Sequence, residues 1–165
     1  MIYNKKENLF NEQKVGKSSL YTLNLNNDIV YYYIALSNHE RLNKLAHISI
    51  KLIKESIKKQ TNFYSIVVFG SYALQEQKKD SDFDVAVFIE NESLRKKAQI
   101  TLNFAELKSI LQIDGHIITK DEFLEMLKRE EENLGKQIAR KHLAIYNHQI
   151  FYDTMQEGIK NGFRI

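Results

Sequence analysis

The chain has 165 residues, of which 43% are hydrophobic and 27% are charged, and its formal net charge is +3. These proportions are typical of one globular domain with room for a small appendage. The absence of cysteine excludes disulfides, thiolate metal sites and a cysteine nucleophile, and the mild positive charge does not by itself indicate nucleic-acid binding.

The chain shows no sign of membrane insertion or export. No run of about 18 apolar residues occurs, as a membrane-spanning helix would need. The N-terminus lacks the apolar segment of a signal peptide. We therefore expect a cytoplasmic protein with no membrane association.

The N-terminal third predicts a hairpin followed by helices. Residues 20–25 alternate between apolar and polar side chains, which indicates a strand, and Gly16 before them suggests the turn of a hairpin. Residues 27–37 have a helical pattern. Ser37 and Glu40 have the spacing of a capping box, which predicts that a second, amphipathic helix begins there.

The rest of the chain alternates between strand and helix patterns. Thr119 and Glu122 form a second predicted capping box. The alternation predicts an α+β (α/β-like) fold with a mixed sheet flanked by helices. The predicted strands are 63–69, 83–90, 110–119 and 142–146, and the predicted helices are a short one near residue 71, then 92–108, 119–129, 131–141 and 151–160.

The most informative segment begins where a predicted strand ends in a glycine and a serine. The apolar run 66–69 stops at Gly70 and Ser71. A glycine at such a turn lets the backbone approach a phosphate closely, and a serine adds a hydroxyl donor. The turn is therefore a candidate phosphate-binding site.

Two aspartates stand at the start of the next predicted strand. Asp82 and Asp84 precede the apolar run 85–89. Side chains two residues apart on a strand point the same way, so both carboxylates are expected on one face. Paired carboxylates repel each other unless a cation holds them, and their oxygens suit Mg²⁺.

Asp114 is the candidate for a third acid. It lies within the otherwise apolar run 111–118, where a carboxylate is costly unless it is paired or bound to a cation. The alternative is a strand-end turn formed with Gly115. His116 falls on the same strand face as Asp114 and has either a structural role or a role near the substrate.

The spacing of these residues resembles that of a known enzyme family. A Gly-Ser pair, ten intervening residues and Asp-x-Asp resemble the signature of the DNA polymerase β-like nucleotidyltransferases, specifically their minimal branch. The resemblance implies that Asp82, Asp84 and Asp114 hold two Mg²⁺ ions. It also implies that Asp114 acts as a base and that Gly70 and Ser71 bind the phosphates of ATP or another nucleoside triphosphate.

The chain departs from the family pattern at two positions. Relatives often read Gly-Ser-x-Ala-Arg-Gly, where the arginine reaches the phosphates, whereas this chain has Leu74 and Gln75 at the last two places. Lys78 or Lys79 is a candidate replacement cation, and the alternative is that both are simply solvated. Weak or absent catalysis stays open for this reason.

The resemblance extends to the ends of the chain and divides it in two. Residues 14–25 resemble the wing hairpin of winged-helix proteins fused to nucleotidyltransferases, although too few residues precede them for a recognition helix. We interpret residues 1–36 as a winged-helix remnant and residues 37–165 as the nucleotidyltransferase domain. Contact with nucleic acid stays open.

The resemblance also suggests a partner. Several members of the minimal branch are antitoxins that transfer AMP to a tyrosine of a HEPN-domain ribonuclease, and a chain with no evident second domain for gripping RNA fits that role. The alternative is a non-enzymatic binding module that masks a partner or contacts DNA.

Overall fold

A four-stranded sheet organises the part of the chain that the computed structural model describes, which is residues 8–164. The strands are β1 (Phe10–Val15), β2 (Ser18–Leu23), β3 (Tyr64–Phe69), β4 (Phe83–Ile89), β5 (Ile113–Thr119) and β6 (His142–Tyr146). The helices are α1 (Asp28–Glu40), α2 (Lys44–Ile57), α3 (Gly70–Leu74), α4 (Arg95–Lys108), α5 (Lys120–Lys128), α6 (Leu134–Arg140) and α7 (His148–Lys160), with a 3-10 turn at Glu92–Leu94.

The main sheet is mixed, as the α+β interpretation predicted. Its strand order is β5-β4-β3-β6. β4 and β5 run parallel and are connected through α4, whereas β3 is antiparallel to both of its neighbours. β3 is central and all six of its residues are buried, which explains why its sequence is apolar without alternation.

The sheet separates two hydrophobic cores. Phe83, Val85 and Val87 of β4 pack with α2 and α4, whereas Ala86 and Phe88 of the same strand pack with α5, α6 and α7. This division follows from the two-residue period of a strand. By the same alternation, Asp84 points to the side that carries α6.

One of the two predicted capping boxes is confirmed and one is wrong. At the start of α5, the Thr119 side chain accepts a hydrogen bond from the Glu122 backbone N–H at 3.2 Å. The Glu122 side chain in turn accepts one from the Thr119 backbone N–H. Ser37, by contrast, lies inside α1, and the cap of α2 is Asn43. α1 continues past Ser37 because the buried Asn38 donates to the Ala144 carbonyl of β6 at 3.1 Å.

The N-terminal hairpin stands apart from the main sheet. β1 and β2 pair only with each other within the described residues, and every residue of both strands is exposed. The boundary proposed at residues 36 and 37 falls inside α1, which packs against β6 and α7. The two-part division and the likeness to a wing stay predictions.

Within residues 8–164, none of the helices combines the length and apolarity that crossing a membrane would require.

Candidate active site

The turn between β3 and α3 strongly favours a glycine. Gly70 has φ +63°, a left-handed conformation that side chains with a Cβ rarely adopt. A Cβ at this position would lie 2.0 Å from Asp84 Oδ2. Gly70 therefore brings the backbone of the turn directly against the Asp84 carboxylate.

The sheet register brings two of the predicted acids together. Asp84 of β4 and Asp114 of β5 are directly paired in the parallel ladder, so their side chains lie on the same face. Asp82 lies just before β4 and is exposed. Burial raises the pKa of Asp84, and the charges of Asp114 and then Asp82 raise it further, which shows that the three carboxylates are electrostatic neighbours.

The donor set fits a divalent cation that binds through oxygen. Asp84 and Asp114 are directly paired and Asp82 is two residues before Asp84, so the three carboxylates repel one another and a bound cation would relieve that repulsion. Among residues 8–164, no group of three or more His, Asp or Glu side chains already has metal-binding geometry. Coordination would therefore require the exposed Asp82 and Asp114 side chains to turn towards Asp84.

Two further side chains surround Asp114. His116 Nε2 lies 3.4 Å from Asp114 Oδ1, so the imidazole and the carboxylate form a pair on the strand face. Glu106 of α4 accepts a hydrogen bond from the backbone of Gly115, and burial followed by the Asp114 charge raises the pKa of Glu106. Glu106 could not be predicted from the sequence, because its position beside Gly115 depends on how α4 packs on β5.

A cleft of about 510 Å³ opens beside the turn and Asp84. Its lining combines Gly70, Ser71 and Leu74 with residues from α6 and the segments next to it. The full lining is Phe69, Gly70, Ser71, Leu74, Glu76, Asp84, Glu132, Gln137, Arg140 and Lys141. The cleft thus joins the predicted phosphate-binding turn to one of the predicted metal ligands.

The two lysines proposed from the sequence lie elsewhere. Lys78 and Lys79 are exposed in the segment between α3 and β4, and neither lines the cleft. The backbone N–H of Lys78 donates to Ser81 Oγ at 2.8 Å, which closes a local turn. The cations that do line the cleft are Arg140 and Lys141, which sequence reasoning missed.

Comparisons with known proteins address the family. A search of curated proteins found no significant match. A solved structure described as "Crystal structure of the toxin-antitoxin with AMP-PNP" is similar over 67% of this chain and 83% of that chain, with 18% identity and a TM-score of 0.44, a similarity too low to define a function.

The sequence model of the family "Polymerase beta, Nucleotidyltransferase" matches residues 51–150, which is more than half of the 165 residues and includes the turn, all three aspartates and the lysine and arginine of the cleft. The chain therefore belongs to the polymerase beta nucleotidyltransferase family.

Proposed function

We propose that this chain transfers a nucleoside monophosphate, AMP from ATP, to an acceptor hydroxyl. The observation that carries the proposal is the direct pairing of Asp84 with Asp114 beside the turn at Gly70. The pairing places two candidate metal ligands side by side, and Asp84 shares a cleft with the turn proposed to bind phosphate.

The reaction forms one bond and breaks one. The acceptor oxygen attacks the α-phosphorus, the bond from that phosphorus to the bridging oxygen of the β-phosphate breaks, and pyrophosphate leaves. Two Mg²⁺ ions held by Asp82, Asp84 and Asp114 would supply charge stabilisation for the attacking and leaving oxygens. Asp114, whose side chain is 56% exposed, is accessible to accept the proton of the acceptor hydroxyl.

In this proposal the turn at Gly70 and Ser71 binds the nucleotide phosphates and takes no part in bond making or breaking. Ser71 is half-buried at the start of α3 and lines the cleft, so its hydroxyl is available to donate to a phosphate oxygen. Gly70 allows that phosphate to approach the backbone without a side chain in the way.

The proposed acceptor is a tyrosine hydroxyl of a HEPN-type ribonuclease, which would make this chain an antitoxin that acts by AMP transfer. The support for this step is the resemblance to the minimal nucleotidyltransferases.

The direct test is transfer of label from ATP labelled at the α-phosphate. The chain is incubated with this ATP, Mg²⁺ and a HEPN-type ribonuclease that carries an Arg-x-x-x-x-His motif and is encoded in the neighbouring reading frame. We expect label on the ribonuclease, and none with the double variant Asp82→Ala, Asp84→Ala. Asp80→Ala is the matched control, because Asp80 is an exposed acid outside the cleft.

The second candidate is a binding module without catalysis. Leu74, which lines the cleft where relatives often carry an arginine, favours this candidate because it removes a charge-assisted donor. Tight binding of the ribonuclease that survives the double aspartate substitution, with no label transfer under any metal condition, would establish the binding module and refute the enzyme.

A further inference from the structure

One part of the cleft lining has the composition of an anion-binding surface. It presents the amide of Gln137, the guanidinium of Arg140 and the ammonium of Lys141. We propose that Arg140 and Lys141, with Gln137 beside them, bind the polyphosphate of the nucleotide, and that Glu132 competes with the nucleotide for Arg140. This proposal rests on the proposed function, since it assigns residues to the substrate of that reaction.

Two of these side chains lie on one face of α6. Gln137 and Arg140 are three positions apart on the helix, so they are neighbours on its surface, and Lys141 is the C-cap residue that directly follows α6 in a non-helical conformation. The intervening Ile138 and Ala139 are fully buried in the second core. The packing of the apolar pair therefore orients the polar face towards the cleft.

Strand pairing then places Lys141 beside the turn. His142 at the start of β6 pairs with Phe69 at the end of β3 in an antiparallel ladder. The residue before His142 is therefore next to the residue after Phe69, so Lys141 lies alongside Gly70. A phosphate held by the turn would lie within reach of the lysine.

Arg140 is already bound to an anion of the chain itself. Its Nη1 donates to Glu132 Oε2 at 2.6 Å, and the two side chains are 40% and 55% exposed. An exposed ion pair of this kind is weak, whereas a guanidinium binds phosphate oxygens in a bidentate manner with charge assistance. A nucleotide polyphosphate can therefore displace Glu132.

The charges of the cleft also indicate what kind of anion fits. The cleft is also lined by three acids, Glu76, Asp84 and Glu132. Their negative charges offset those of the two cations, so a small monovalent anion would bind there only weakly. A polyphosphate carries enough charge to satisfy both cations, and with Mg²⁺ it also satisfies the carboxylate side of the cleft. Binding is therefore expected to need Mg²⁺ and to weaken with salt.

The test measures binding rather than turnover. A non-hydrolysable ATP analogue with Mg²⁺ is titrated calorimetrically into the wild-type chain and its variants. We expect Arg140→Gln with Lys141→Gln to weaken binding about tenfold or more, which corresponds to the loss of at least one charge-assisted hydrogen bond. We expect Glu132→Gln to strengthen binding several-fold, because it removes the competing carboxylate.

Two further variants make the assignment specific. Lys78→Gln with Lys79→Gln removes two lysines outside the cleft and should leave the affinity within about twofold. Arg140→Lys keeps the charge but loses the planar fork, so an intermediate affinity is expected. All five substituted side chains are exposed, and a melting curve for each variant verifies that it is folded.

The outcomes separate this inference from the proposed function. If the Arg140 and Lys141 double variant binds the analogue as the wild type does, or if Glu132→Gln weakens binding, the inference is wrong even if label transfer is observed. If the variants behave as expected but no acceptor is ever labelled, the inference stands and the proposed transfer fails. If the wild type does not bind the analogue with Mg²⁺, the inference is overturned.

Discussion

At the scale of single residues, the candidate site depends on how closely Gly70 and Asp84 approach each other. Glycine is strongly favoured at this position, because of both its left-handed conformation and the carboxylate oxygen beside it. The carboxylate is half-buried and has two acidic neighbours, which raises its pKa. The glycine turn and the carboxylate whose ionised form is disfavoured are therefore in direct contact.

Gly70→Ala is expected to destabilise the fold more than a conformational cost alone would. Gly16 is the matched control, since its φ of +64° nearly equals the +63° of Gly70 but no atom lies within 4 Å of a Cβ there. Gly16→Ala should lower the free energy of unfolding by at most about 1–2 kcal/mol. Gly70→Ala should cost a further 1–3 kcal/mol or so from overpacking. Urea denaturation measures both, and equal losses would contradict the close approach to Asp84.

Asp84→Asn is expected to raise the melting temperature at neutral pH. The pKa of Asp84 is raised in the folded state, so the stability of the wild type falls as the pH rises from the ordinary value of 3.8 through the raised value. The substitution removes this penalty. Since solvent screens a half-buried group, we expect a gain of no more than about 2–4 °C.

The pH dependence of that gain is the diagnostic observation. Melting curves recorded at decreasing pH should show the advantage of Asp84→Asn shrinking as the wild-type carboxyl becomes protonated. An advantage that is constant with pH would show that it does not come from the ionisation of Asp84.

At the scale of secondary-structure elements, Arg95 holds β5, the strand that carries Asp114. Its Nη1 donates to the Ile117 carbonyl at 2.7 Å and its Nε to Glu92 Oε1 at 2.6 Å, and its Nη2 pairs with Glu122. One guanidinium thus joins the start of α4, the middle of β5 and the capping box of α5. These hydrogen bonds stabilise the packing of the start of α4 against β5 and α5.

Arg95→Gln is therefore expected to lower the free energy of unfolding by about 1–3 kcal/mol, through the loss of hydrogen bonds to charged groups and to a half-buried carbonyl. Its neighbour Lys96 is exposed and forms no ion pair within the described residues. Lys96→Gln should accordingly change stability by less than about 0.5 kcal/mol. Chemical denaturation of both variants tests the assignment, and similar small effects would count against it.

At the scale of the whole molecule, α1 belongs to the packed structure, whereas the hairpin before it does not. Tyr31 is 1% exposed and donates to the Leu25 carbonyl at 2.9 Å. Its ring also packs on Tyr152 of α7 with ring centroids 5.3 Å apart. The strands of the hairpin, by contrast, are exposed along their whole length.

Two truncations should separate the contribution of the hairpin to stability from that of α1. Removal of residues 1–23 takes away the hairpin and is expected to leave a cooperatively folding protein whose melting temperature changes by only a few degrees. Removal of residues 1–36 also takes away Tyr31 and should cost at least about 3 kcal/mol, as deletion of a buried aromatic side chain does. Equal effects of the two truncations would contradict the difference in burial.

The sequence by itself determined the local features of this protein. The apolar runs on either side of the Gly-Ser and Asp-x-Asp motif identified β3 and β4, and the Thr119 capping box located the start of α5. These features are readable because strand periodicity and helix caps depend on residues close together in the chain. The capping box predicted at Ser37 and Glu40 does not form. The hydrogen bond from Asn38 to β6 belongs to the tertiary structure, which the local pattern of the sequence does not contain.

Only the tertiary structure decided which distant residues share the cleft. Lys78 and Lys79 were proposed because they are near the motif in sequence, yet Arg140 and Lys141 line the cleft. They do so because β6 pairs with β3, some seventy residues earlier. Long-range strand pairing is set by the burial of whole faces of a sheet rather than by local pattern, so the identity of the cations that line the cleft could not be read from the chain.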